Sequence, residues 1–225
     1  KFKEREDSIV TGIIRRIDNR KNIFIEIDGV ELILPPVEQS VSDIYRVGER
    51  IKVYVLSVEK TSKFPKILIS RRNEGLLRKL FEIEIPEITS GIIEIKSVAR
   101  EAGSRAKVAV YSAVPNIDTI GACIGQKGAR IKNIVDELNG ERIDIVEWKP
   151  VVEEFVSAVL SPAVVESVTI LEDGTARVLV EPSQLSLAIG KNGQNARLAA
   201  RLTGMRVDIK VIDKDKETLK EGEDE

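Results

Sequence analysis

A small all-β barrel followed by two copies of one mixed α/β (α+β) unit is the multidomain fold class this sequence predicts, and three observations predict it. Runs rich in β-branched residues crowd into residues 8–73, separated by Asn, Gly and Pro turns. From Gly91 onward, strand-like runs are followed by paired helical runs. That second grammar then repeats: "IGQKG" (124–128) returns as "IGKNG" (189–193), and "ERIDIVEW" (141–148) returns as "MRVDIKVI" (205–212).

Taken in order, "SIVTGIIRRID", "NIFIEID", "GVELILPP", "ERIKVYVLSVEK" and "FPKILISRR" read as five strands. Ile23, Ile25 and Ile27 alternate with Phe24 and Glu26, the period of a strand with one buried face. Five strands with one longer connection suit the partly open OB-fold barrel, where a sandwich would want about seven. Residues 74–90 read as a linker helix, with Leu76, Leu77 and Leu80 along one side. The first repeat occupies 91–150 and the second 151–213, each in the order of two strands, two helices and a strand. The helix "VEEFVSAVLS" leads the second copy. Only Lys149, Pro150 and Val151 separate that helix from Trp148, so the copies are expected to pack as one rigid body. The closing "DKDKETLKEGEDE" carries seven acids and three bases, and 214–225 is expected to be a disordered acidic tail.

Composition narrows the chemistry. The chain has 225 residues, 42% hydrophobic and 32% charged, no apolar run of bilayer length, and a start too charged for a signal peptide core. A cytoplasmic protein is expected. One cysteine, Cys123, and no histidine leave no disulfide framework and no familiar zinc ligand set, so no metal and no cofactor is expected, and Cys123 reads as a small core residue. Without histidine, no Ser-His or Cys-His pair exists, and no two carboxylates stand out as acid and base. The chain therefore reads as a binding protein with no catalytic residues. At a net charge of −2, an anionic partner must be met by local basic patches.

Those patches coincide with the repeated glycine loops. No acidic residue occurs from Thr119 to Val135 or from Pro182 to Val207. The first window holds Lys127, Arg130 and Lys132, and the second holds Lys191, Arg197, Arg201 and Arg206. Each loop opens a helix, where N–H groups lacking internal partners and the helix dipole favour a phosphate. In the first such helix Ile131, Ile134, Val135 and Leu138 form the core stripe. Neither loop has the Lys-Ser/Thr of a P-loop or the G-x-G-x-x-G spacing. Arg197 and Arg201, one turn apart, read either as phosphate ligands or as a solvated helix face.

"GACIGQKGARIKNIVDELNGERIDIVEW" and "QLSLAIGKNGQNARLAARLTGMRVDI" resemble the tandem KH domains of the NusA family of bacterial transcription termination/antitermination factors. The resemblance continues through "IEIKSVAREAGSRAKVAVYS" and, in the barrel, through "ILPPVEQ" and "YRVGERIKVYVLSV". It implies an S1-type OB-fold barrel followed by two KH type II domains. It also implies that Gly125, Gln126, Lys127 and Gly128, then Gly190, Lys191, Asn192 and Gly193, clamp the backbone of single-stranded nascent RNA. Arg130, Lys132, Arg197 and Arg201 would flank the clamps. Family members begin with a domain that binds RNA polymerase. Residues 1–7 are therefore expected to be the remnant of an upstream segment, with polymerase and other transcription factors as partners of a full-length, monomeric parent. The barrel's aromatics are Phe24, Tyr45, Tyr54 and Phe64. Phe24, out of phase with the buried isoleucines, is the stacking candidate unless it is a covered structural ring. Competing assignments are an S1/KH subunit of an RNA-degrading or ribosome-associated assembly and an RNA-processing enzyme.

Overall fold

The computed structural model describes residues 2–213, so the acidic tail expected at 214–225 lies outside the described residues. Strands β1 (Ile9–Ile17), β2 (Ile23–Ile27), β3 (Val30–Leu34), β4 (Arg50–Glu59) and β5 (Lys66–Ser70) form one antiparallel sheet in the order β3-β2-β1-β4-β5. Its two edges, β3 and β5, come together, which nearly closes the barrel. Val10, Ile14, Ile23, Ile25, Ile27, Leu34, Val53, Val55 and Ile69 fill it. Gly12 leaves room for β2 against β1, because a Cβ there would stand 2.4 Å from Ile25 Cγ2 and 2.8 Å from the Glu26 carbonyl oxygen.

Residues 2–7 pack on the barrel. Asp7 N–H donates to the Val55 carbonyl, the Tyr54 hydroxyl donates to Asp7, and Val58 N–H donates to the Glu6 carboxylate.

Helix α1 (Glu74–Glu84) is capped by the Asn73 side chain, which accepts from Gly75 N–H, and is followed by α2 (Pro86–Thr89). The sequence assigns this stretch to a linker, yet the structure puts its apolar face inside the first repeat. Leu76, Leu77, Leu80, Phe81 and Ile85 share one core with Val98, Val108, Cys123, Ile134 and Leu138. The repeat then runs β6 (Glu94–Glu101), β7 (Arg105–Tyr111), α3 (Thr119–Ile124), α4 (Ala129–Glu137) and β8 (Arg142–Glu147). β6 pairs antiparallel and β8 parallel with β7. The second copy reproduces this with α5 (Val152–Val159), β9 (Ser167–Ile170), β10 (Ala176–Val180), α6 (Leu185–Ile189), α7 (Gln194–Thr203) and β11 (Val207–Val211). Here β10 pairs antiparallel with β9 and parallel with β11.

The copies share apolar surface. Ala99, Ala109 and Val146 of the first sheet belong to the same core as Phe155, Val156 and Val159 of α5 and Leu198, Ala199 and Leu202 of α7. Alanine at 99 and 109 leaves room for the helices to lie close. Lys107, fully buried at this junction, donates to Asp144 (3.1 Å) and to the Ser161 carbonyl (2.8 Å); burial pushes its pKa down while Asp144 pushes it back up. The barrel is joined to the first repeat by a buried charge network around Arg71, Asp43 and Glu137.

Candidate nucleic-acid interface

Two backbone loops of the same conformation stand at the starts of α4 and α7. Gly125 and Gly190 have φ/ψ of 78/173° and 76/169°, a region essentially reserved for glycine. Lys127 (52/27°) and Asn192 (55/27°) are both left-handed, as are Gly128 (72/17°) and Gly193 (72/13°). Asparagine tolerates that conformation well and lysine less so, and the two loops hold it nonetheless.

The helices that follow have no side-chain cap, as is also true of α2, α5 and α6. α1 is capped by Asn73 and α3 by Asp118, whereas α4 and α7 begin on a left-handed glycine with no side-chain acceptor. Their first turns contain no acid. The N–H groups of Ala129 and Gln194 donate back to the Gln126 and Lys191 carbonyls, and the positive end of each helix dipole stands beside exposed Gln126, Lys127, Lys191 and Asn192. Among the described residues, Lys127 and Lys191 have no acidic partner.

Other sequence-predicted residues are already engaged. Arg130 is a strut under the first loop: Nη1 donates to the Ala122 carbonyl (2.7 Å) and Glu87 (2.8 Å), and a Cβ on Gly125 would lie 2.7 Å from its Cγ. Lys132 is exposed but pairs with Asp136 one turn on, just past the acid-free window. Arg197 donates to the Asn192 carbonyl (2.9 Å), closing its own loop, and bridges to Glu101 of the first repeat (3.1 Å). Arg201 stays half exposed, 3.9 Å from the same carboxylate. The hydrogen bond from Arg197 holds the Glu101 carboxyl below its usual range against partial burial. Phe24, the stacking candidate, is a covered ring. It is buried because the Arg16 guanidinium, itself held by Glu31 at 2.8 Å, lies 3.3 Å over its ring.

Sequence reasoning missed three residues here. Asn195, fully buried, stands at the position in the second copy that Arg130 holds in the first, five residues after the leading glycine. Its Nδ2 donates to the Leu160 and Ala188 carbonyls at 3.0 Å each. A polar residue at the same place in both repeats was the available signal. Gln194 donates to Glu101 (2.9 Å) and Ser104 (2.7 Å), so with Arg197 it ties the second loop to the β6–β7 turn of the first copy. Glu101, the common acceptor, gave no local signal. Beside the first loop a cleft of about 460 Å³ is lined by Gly121, Ala122, Gly125, Gln126, Ala129, Arg130 and Glu87. Small residues on its walls leave space for a flat group next to the loop. No metal-binding group of three or more His, Cys, Asp or Glu, and no helix long and apolar enough to cross a membrane, occurs among the described residues.

Comparison with known proteins agrees with this division. Residues 3–69 match the S1 RNA binding domain, 71–148 the NusA-like first KH domain, and 152–217 the NusA-like second KH domain. The transcription termination/antitermination protein NusA of Halalkalibacterium halodurans is 52% identical over 93% of this chain and 55% of its own length. The proteins of that name from Bacillus subtilis and Thermus thermophilus are 51% and 49% identical, over 93% and 90% of this chain and 56% and 53% of theirs. The chain thus spans about half the length of these relatives.

Proposed function

The chain belongs to the NusA family, carrying an S1 domain and the first and second KH domains in order, and from that premise we propose that it holds nascent single-stranded RNA and so modulates pausing, termination and antitermination. The observation that carries this reading is the pair of glycine loops with one backbone geometry. Each presents an uncapped helix start and an unpaired lysine. A phosphate received there meets N–H donors and a cation together, while the base lies in the adjoining cleft; this is how KH domains hold about four nucleotides. We place RNA polymerase and other transcription factors among the partners of the full-length protein, which acts in the cytoplasm as a monomer. No catalytic step is required of the chain.

The shared core and the Glu101 bridge support reading the two clamps as one surface. RNA held by the first clamp is then presented to the second at high effective concentration. Titration with single-stranded RNAs of increasing length should show affinity rising to about eight nucleotides or more. A plateau at four or five, or two copies tumbling independently by NMR relaxation, would leave two separate sites.

A further inference from the structure

The second acid-free window holds four cations, Lys191, Arg197, Arg201 and Arg206, and an acid from the other copy engages two of them. That acid is Glu101, at the end of β6. Its carboxylate accepts from Arg197 Nε and Nη2 (3.1 Å) and from Gln194 Nε2 (2.9 Å), and it lies 3.9 Å from Arg201 Nη1. Gln194, Arg197 and Arg201 follow one face of α7 from its first residue. A built-in anion thus sits at the positive end of the helix that the second glycine loop opens.

The charge of Glu101 is not spent within its own hairpin. Arg105 is the residue opposite it across β7, and the Arg105 guanidinium turns to Asp144 (2.9 Å) instead. Nor do the copies depend on the bridge to stay together, since Ala99, Ala109 and Val146 already share a core with α5 and α7. The bridge is open to solvent: the Arg197 and Arg201 side chains are 43% and 54% exposed, and that of Glu101 is 21% exposed. Arg197 also donates to the Asn192 carbonyl, inside the loop, so the carboxylate is one side chain away from the backbone of the second clamp. A guanidinium meets a carboxylate and a phosphate with the same fork of donors, which makes one anion exchangeable for the other.

We propose that Glu101 stands in for an RNA phosphate at the second clamp: without RNA it neutralises Arg197 and Arg201, and when single-stranded RNA arrives the two arginines exchange the carboxylate for a phosphate. The proposal rests on the reading of the chain as an RNA-holding protein. It gives the first KH domain a restraint on the second, which every RNA must displace. The affinity of the second clamp is thereby set below what its cations alone would give.

The test uses the whole chain and a labelled single-stranded RNA of mixed sequence, about twelve nucleotides long, enough to cover two clamps of about four each. Glu101→Gln should bind it about 3- to 10-fold more tightly than the parent, the scale of one or two exposed ion pairs that no longer have to be broken. A bridge that merely positions the loop would give weaker binding, so the sign separates the two roles. Arg201→Gln should cost more affinity in the Glu101→Gln chain than in the parent, where the arginine must first give up its carboxylate. In the unaltered chain, adding the RNA should move the Glu101 carboxyl carbon signal in NMR towards that of a solvated carboxylate. Binding by Glu101→Gln that equals or falls below the parent's, additive effects of the two substitutions, or an unmoved Glu101 signal would each overturn the proposal. Failure of the underlying reading is distinct, because the unaltered chain would then not bind the RNA.

Discussion

Arg71→Ala should destabilise the joint between the barrel and the first KH domain by about 3–5 kcal/mol, the cost of leaving a buried charge without its partner. Arg71 and Asp43 are each only 2% exposed at the side chain. The guanidinium donates to both Asp43 oxygens (2.7 and 2.8 Å), to the Lys52 carbonyl (2.9 Å) and to the Glu137 carbonyl (3.0 Å), so one side chain links the connection after β3, strand β4 and the end of α4. Burial by itself would raise the Asp43 pKa. The hydrogen bonds and charge of Arg71, helped by Asn139 and Tyr45, hold it below the ordinary value instead.

The sign with pH follows. With its folded pKa depressed, Asp43 contributes stability that is present above the unfolded value of about 3.9 and lost as pH falls through the lower folded one. In Arg71→Ala only the weaker hydrogen bonds of Asn139 and Tyr45 oppose burial, so the carboxyl shifts toward its neutral form and the variant's deficit should shrink on acidification. Urea denaturation at pH 7 and pH 4 checks both statements. A variant that unfolds like the parent at pH 7 contradicts the account of this joint.

Gly190→Val carries the other large effect. At φ/ψ of 76/169° a side chain costs about 1–3 kcal/mol in strain alone. Its Cβ would also stand 2.7 Å from the Asn195 backbone nitrogen and 2.8 Å from the Asn195 Cβ, with no flexible end to give way. Displacing Asn195 frees the Leu160 and Ala188 carbonyls inside the core, at about 1–3 kcal/mol for each group left unmade. The second KH domain should lose about 3 kcal/mol or more, and single-stranded RNA affinity should fall at least about tenfold once the clamp loses its shape. Gly193→Ala is the control, since nothing lies closer than 3.7 Å and only the left-handed conformation, at about 1–2 kcal/mol, opposes it. Equal melting temperatures for the two variants would show that the leading glycine is not required by the packing.

What the sequence made legible is what recurs or alternates locally. The repeated "IGQKG" and "IGKNG", with acid-free flanks, marked both glycine loops, and the Ile23, Ile25, Ile27 period marked a buried barrel face. Periodicity states which face is buried but not against what. The Leu76, Leu77 and Leu80 stripe was seen, while the core it enters is completed by Val98 to Leu138, out of local reach. The covering of Phe24 was out of reach for a related reason: an outward phase implies exposure only if no neighbour folds over the ring, and Arg16 does so from the adjacent strand. Arg197 and Glu101 are 96 residues apart in the chain, so the basic window alone gave no sign of their pairing.

The two loops acting as phosphate clamps carry the proposed function, and paired aspartates test that directly. Gln126→Asp with Lys127→Asp, and separately Lys191→Asp with Asn192→Asp, place two negative charges on exposed positions while the glycines keep each turn. Aspartate accepts the left-handed conformation of 127 and 192 readily, so folding should be preserved. A charged hydrogen bond to phosphate is worth about 1.5–3 kcal/mol, and repulsion adds to its loss. Each double variant should therefore bind single-stranded RNA at least about tenfold more weakly than the parent at an unchanged melting temperature. Parental affinity in both variants, with native melting, would contradict the clamps.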